Sequence, residues 1–232
     1  MLIDHIPSAI FAGSVHTINQ NVVLGVSLGG HAAWHCILHD PRITAAVIIV
    51  GSPDYMNLMT DRARLSKLSS WKRGDPPGSQ FLHSESFPST RIESIHKYDP
   101  ACLFLGGIDT KSGTVPLRKG PIADPTDIEK KSLRPLLMRS LGGKQILNIS
   151  GGRDKAIPYS HEEPFLNWLN RATASDGWFA DGAVHFETII YKDVAHDVTP
   201  DMAHKAVDFI MQVVARNKDF KREFSRTDKP RI

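Results

Sequence analysis

Cysteine is almost missing from this chain: Cys36 and Cys102 are the only two in 232 residues. Two thiols cannot build the disulfide framework that small secreted domains lean on. The core must come from apolar packing, and a reducing, cytoplasmic compartment is expected. Long apolar runs are missing too. None approaches the ~20 residues that a membrane-crossing helix needs. The first residues lack the basic, apolar and small-residue order of a secretion signal, so no membrane span is expected. Charge of one sign is also short. Lys and Arg total 28 against 25 Asp and Glu, a formal net charge of +3 with much of the excess in the tail. No nucleic-acid partner follows from so mild a balance. No phosphate loop, dinucleotide fingerprint or repeat is visible, so neither an organic cofactor nor a catalytic metal is implied.

What the chain does have is material for one sizeable core, with 41% apolar residues. The most informative stretch is residues 21–39. Val22, Val23 and Leu24 read as a buried strand covered on both faces. Ala32, Ala33, Trp34, Cys36, Ile37 and Leu38 read as a helix, stopped by Asp40-Pro41. Between them Gly25-Val26-Ser27-Leu28-Gly29 fits G-x-S-x-G. Chance alone gives that pentapeptide in roughly one chain in ten of this size, but the strand before it and the helix after it make the match far more specific. A tight strand-to-helix turn pushes the Ser27 hydroxyl out of the sheet. Glycines at 25 and 29 are expected to remove side chains that would collide there. The helix aims its first N–H groups at the same spot, which suits a developing negative charge.

Further strands are expected at 43–50, 144–150 and 184–191. The run from 22 to 50 is a strand–helix–strand unit. Residues 2–11 show helical spacing broken at Pro7. Helical pieces are expected at 56–72, 89–97 and 126–141, with Pro and Gly between them. Amphipathic helices follow at 162–173 and 201–214. Residues 216–232 are charged and poor in large apolar groups, and are read as a disordered tail. Arg62, Arg64, Lys67, Lys72 and Arg73 read as a wetted basic stripe. His31, His35 and His39 lie four apart, a spacing that can bind zinc, but no acidic residue stands between them as in H-E-x-x-H. Packing and a wetted helix face is the reading for them. Cys36 reads as a small buried apolar group.

The elbow and its surroundings resemble the α/β-hydrolases, over about residues 1 to 214. They are similar to the esterase and prolyl-oligopeptidase-like branch, whose elbow often runs into a second glycine as Gly29-Gly30 does. The resemblance implies an α/β fold: a partial α/β-hydrolase parallel sheet of about four strands, from the nucleophile strand onward, flanked by helices. It implies one domain over 1–215, with 55–143 as a lid-like helical insertion. Gly151-Gly152-Arg153-Asp154 resembles the family's acid loop, and the order Ser, acid, His is the family's order. Ser27 is then the nucleophile, His196 the general base and acid, Asp154 the orienting acid, and the Leu28 backbone N–H one oxyanion donor. Asp54 is the alternative acid. His161 and His204 lie on helices and are poorer bases. Val194 stands where the family commonly has glycine, two residues before the histidine.

The implied activity is that of a serine hydrolase acting on a small-molecule ester, thioester or similar acyl substrate; a prolyl-oligopeptidase-type peptidase is permitted by the same elbow. One departure weighs against it. The resembled fold has strands upstream of the nucleophile, and an early loop there gives the second oxyanion donor. The sequence offers no strand before residue 22. The expectation is therefore a fragment, a mis-started product or a chain completed by another, ahead of a shortened fold. The alternative function is a catalytically impaired hydrolase-like binding module. An unpaired strand at 22–24 would also leave an apolar edge open to self-association.

Overall fold

The four β-branched-rich runs set the frame. The computed structural model describes residues 2–11, 13, 18–105 and 120–227. Strands Asn21–Val26 (β1), Ile43–Ile49 (β2), Gln145–Gly151 (β3) and His185–Tyr191 (β4) form one parallel sheet in the order β1-β2-β3-β4. Val47, Ile48, Leu147 and Ile149 are wholly buried, as parallel strands covered by helices must be. Parallel pairing needs crossover connections, and helices supply them: Leu28–His39 (α2) between β1 and β2, and Tyr159–Thr173 (α8) between β3 and β4.

The connection from β2 to β3 is the long one. It carries Tyr55–Leu65 (α3), Ser69–Lys72 (α4), Ser89–Tyr98 (α5), Pro100–Leu105 (α6) and Asp127–Leu141 (α7). Leu2–Ile10 (α1) precedes β1, and Pro200–Thr227 (α9) follows β4. On one face of the sheet Trp34, Ile37, Phe165, Leu166, Trp168 and Leu169 pack with Leu137 and Leu141 of α7. On the other, Met202, Phe209 and Val213 of α9 pack against Ala45, Val47, Leu147 and Ile149. A third cluster, with Met56, Phe81, Phe87, Ile92 and Cys102, lies within the long connection.

The structure corrects the sequence reading in several places. β1 is an edge strand, and its cover on the two faces is partial: Val22 packs toward α9. Val23 packs toward α2, but Leu24 is 50% and Val26 40% exposed. No strand flanks β1 on its outer side among the described residues. The expected helix 56–72 splits, because Ser66 caps α3 and Lys67 turns to φ 51°, a left-handed conformation that ends an α-helix. α1 passes through Pro7 without a break, with Phe11 N–H donating to the Pro7 carbonyl at 2.9 Å. The tail is not wholly without structure: α9 runs to Thr227. Its Lys, Arg, Glu and Gln residues are good helix formers, and neither Gly nor Pro interrupts it before Pro230. Residues 228–232 lie outside the described residues, and beyond Arg216 only the α9 backbone is described.

Candidate active site

All four strands run the same way, so the loops that follow them meet at one edge. β1 delivers Ser27 there. Its φ of 56° and ψ of −119° fall where residues with a Cβ rarely sit. The strained turn is tied on both sides: Ser27 N–H donates to Ile49 O at 2.9 Å, and His31 N–H donates to Ser27 O at 3.1 Å. Close behind, Val50 also holds a positive φ of 45°.

The glycines divide their work differently from what the motif implies. A Cβ on Gly25 would run into the Gly29 carbonyl and come within 2.7 Å of the Gly30 nitrogen. Gly30 packs against Gly51, where a Cβ would meet the Gly51 Cα at 2.9 Å. At Gly29 a Cβ would meet nothing within 4 Å. The tight positions are therefore 25 and 30, and the expectation that Gly29 avoids a collision is corrected.

β3 delivers the acid. The Asp154 side chain is 1% exposed. Its Oδ1 accepts N–H bonds from Ala156 and Ile157, each at 2.8 Å. Its Oδ2 lies 2.7 Å from His196 Nδ1. With a carboxylate as the partner, Nδ1 carries the proton, and Nε2 is left as an acceptor. That Nε2 lies 2.8 Å from Ser27 Oγ. The His196 side chain is 34% exposed, so the relay has a buried end and an open end.

Val194 does not prevent this geometry. Val194 N–H donates to Tyr191 O at 3.1 Å, and Val194 O accepts from Arg153 N–H at 2.9 Å. The room comes from the facing loop. A Cβ on Gly151 would meet Ala195 O at 2.5 Å, and one on Gly152 would meet Lys192 O at 2.6 Å.

Leu28 opens α2, so its N–H belongs to the first turn, where no intrahelical partner exists. It directly follows Ser27. No strand precedes β1 among the described residues.

The alternative residues are occupied elsewhere. Asp54 caps α3, accepting from Asn57 N–H at 3.0 Å. His161 faces Asp61, Nε2 to Oδ2 at 3.2 Å, and His204 is exposed on α9. His31 bonds through Nδ1 to Ser52 O at 2.8 Å and through Nε2 to His35 Nε2 at 3.1 Å, while His39 bonds to Tyr98 O at 3.2 Å. Burial pushes the His31 and His35 rings toward the neutral form, His35 to about 4. Among the described residues no group of three or more His, Cys, Asp and Glu side chains could hold a metal ion, and no helix is long and apolar enough to cross a membrane. Cys36 is half-buried rather than buried, and both cysteines are free.

Two features escaped the sequence reading. The basic stripe is not simply wetted: Arg62 donates to Ala156 O at 2.6 Å, and Arg64 to Asp61 Oδ1 at 2.7 Å. Glu162, 1% exposed, accepts from Ser150 Oγ at 3.2 Å. Its burial, with the Asp154 charge adding to it, holds the Glu162 carboxyl well above the usual carboxylate range. Asn148 and Ser150, polar residues inside a central strand, were the available signal for that cluster.

No family model matches the chain, and neither does any curated protein. Solved structures do. It is similar to an acyl-protein thioesterase 2 of Zea mays, at 10% identity over 90% of this chain and 62% of that one, with a TM-score of 0.42. It is similar to an esterase of Pyrococcus furiosus, at 15% identity over 83% and 54%, with a TM-score of 0.39. It is also similar to the siderophore hydrolase EstB of Aspergillus fumigatus, at 13% identity over 93% and 73%, with a TM-score of 0.44. The chain thus spans less than two thirds of the maize and Pyrococcus proteins. Its own topology is the firmer ground. A strained serine between a parallel strand and a helix, with later strands presenting an aspartate and then a histidine, is the arrangement that the resemblance to the α/β-hydrolases implied for the sheet from β1 onward.

Proposed function

We propose that this chain is a serine hydrolase that cleaves an ester, thioester or similar acyl bond of a small molecule through an acyl-enzyme. One observation carries the reading: Ser27, His196 and Asp154, from three separate loops, stand in an unbroken hydrogen-bonded line at one sheet edge. A serine hydroxyl is a poor nucleophile until a base takes its proton. In this reading His196 Nε2 accepts the Ser27 proton as Oγ attacks the acyl carbon. The carbonyl oxygen becomes an oxyanion facing the Leu28 N–H. His196, now an imidazolium steadied by Asp154, returns the proton to the leaving group. Water then repeats the sequence on the acyl-enzyme, and Ser27 is regenerated. Asp154 is suited to its part because two backbone N–H bonds fix its other oxygen. The free cysteines fit a cytoplasmic location.

A second reading has its own support. The only oxyanion donor identified among the described residues is Leu28 N–H, and removal of one such donor typically costs about 10²–10³ in rate. The bare β1 edge beside Ser27 would then serve binding or self-association in a catalytically impaired module. A fluorophosphonate probe, with Ser27→Ala as control, tests both. Labelling at Ser27 with turnover of short acyl esters supports the hydrolase. Labelling with turnover no better than Ser27→Ala supports the impaired module. A folded protein that takes no label removes the relay altogether. Aminoacyl amides in the same panel separate an esterase from a peptidase.

A further inference from the structure

A polar seam outside the relay joins α3 to the loop that holds Asp154. Arg62 Nη2 donates to the Ala156 carbonyl at 2.6 Å. That carbonyl belongs to the same planar peptide unit as the Ile157 N–H, which donates to Asp154 Oδ1 at 2.8 Å. In a trans peptide the C=O and N–H point in opposite directions. Gripping the oxygen from α3 therefore aims the hydrogen at the carboxylate. A carbonyl bonded to a cation also polarises its own peptide N–H into a better donor. Beyond the loop, in the first turn of α8, Asn57 Nδ2 donates to His161 O at 3.3 Å. His161 Nε2 lies 3.2 Å from Asp61 Oδ2, and its Nδ1 lies 3.3 Å from Pro158 O. The acid loop is thus gripped from α3 at residue 156, and the start of α8 that follows it is gripped from α3 at residue 161.

We infer that Arg62 is a positioning residue for Asp154, acting through the Ala156–Ile157 peptide, with the Asp61–His161 pair as the fixed end of the same brace. This rests on the hydrolase reading above. It assigns α3 a task beyond that of a lid-like insertion: the long connection between β2 and β3 would orient the acid, and through it the base. Arg62 is exposed, while Met56, Leu58 and Ala63 are buried and keep α3 docked without it. Removing the guanidinium should therefore loosen the acid loop and leave the fold intact.

The test compares wild type, Arg62→Gln and Arg62→Lys. Three quantities are read: the fluorophosphonate labelling rate, kcat and KM on a short acyl ester, and the low-field N–H resonance of His196 against Asp154. Misplacement of a catalytic group by a remote change costs up to about 10²-fold. The expected result for Arg62→Gln is labelling and kcat slowed by about 10- to 100-fold, with KM and melting temperature little changed and the low-field resonance shifted or broadened. Arg62→Lys can still donate one bond to Ala156 O and should recover most of the loss. Wild-type rates and an unmoved resonance in Arg62→Gln would overturn the inference. So would a loss that tracks a fall in melting temperature and is not recovered by lysine. Should wild type itself take no label, the hydrolase reading fails, while an altered resonance in Arg62→Gln still upholds the positioning of Asp154 and an unaltered one defeats it.

Discussion

Alanine at Gly25 and alanine at Gly29 should have opposite effects, although the G-x-S-x-G pattern treats the two positions alike. At Gly25 the new Cβ would run into the Gly29 carbonyl and lie 2.7 Å from the Gly30 nitrogen, below the 3.0 Å that real Cβ atoms keep. Both obstacles are backbone, so no side chain can swing away. The elbow has to open by roughly 1 Å, and overpacking of this kind costs about 1–3 kcal/mol. The same displacement carries Ser27 away from His196 Nε2, which now sits at 2.8 Å, and should slow acylation by about 10²-fold. At Gly29 the new methyl meets nothing within 4 Å. Replacing glycine inside a helix gains roughly 0.5–1 kcal/mol. The two variants should therefore differ by about 1.5–4 kcal/mol, read as urea midpoints at matched m-values. Fluorophosphonate labelling should be slow in Gly25→Ala and near wild type in Gly29→Ala. If Gly29→Ala is destabilised as much as Gly25→Ala, the steric argument is wrong and the motif acts through something other than packing.

Gly151→Ala should spare the core but push the 194–196 loop outward, because its Cβ would meet Ala195 O at 2.5 Å and Val194 O at 2.8 Å; labelling should drop by about 10²-fold, and an unchanged rate would contradict the proposed packing of the two loops. His35 gives a pH signature. Its folded pKa is about 4 against an ordinary 6.5, so the unfolded chain binds the proton first, and stability is complete above pH 6.5 and lost as pH falls toward 4. Allowing for partial exposure, the loss is about 1–2 kcal/mol, and His35→Gln should flatten that part of the melting-temperature profile. Lys144, 6% exposed, donates to Ile37 O and, at 3.2 Å, to Asp40 O. Lys144→Met should cost about 1–3 kcal/mol by orphaning those carbonyls, and a variant as stable as wild type in urea would show that water replaces the bonds.

Features that depend on one residue and its chain neighbours were legible in the sequence. Ile43–Ile49 reads as a strand because a parallel strand covered on both faces is a near-continuous apolar run rich in β-branched residues. Ser27, Asp154 and His196 could be picked out because each follows a strand and their order is fixed by the chain. What the sequence hid depends on partners far apart. Arg62 and Ala156 are 94 residues apart, and locally Arg62 looks like any wetted cation. The exposure of Leu24 was missed because the same letters suit a central strand or a bare edge. Only the neighbouring strand decides which.

The glycines show why this limit is physical. A glycine motif names positions, but a collision needs two chains. Val194 stands where the resembled loops commonly use glycine, and from the sequence that looks like lost freedom. Yet the loop closes on Tyr191 O and Arg153 N–H, because Gly151 and Gly152 leave the gap that residues 192–195 fill. The missing side chain may be on either wall of a contact for the contact to form. In this site it is on the acid loop, at Gly151 and Gly152. It follows that the cost of a side chain at 151 should fall if the facing loop is given back its freedom. Val194→Gly should therefore recover part of the activity lost in Gly151→Ala, whereas strictly additive losses would mean that the two loops are shaped independently.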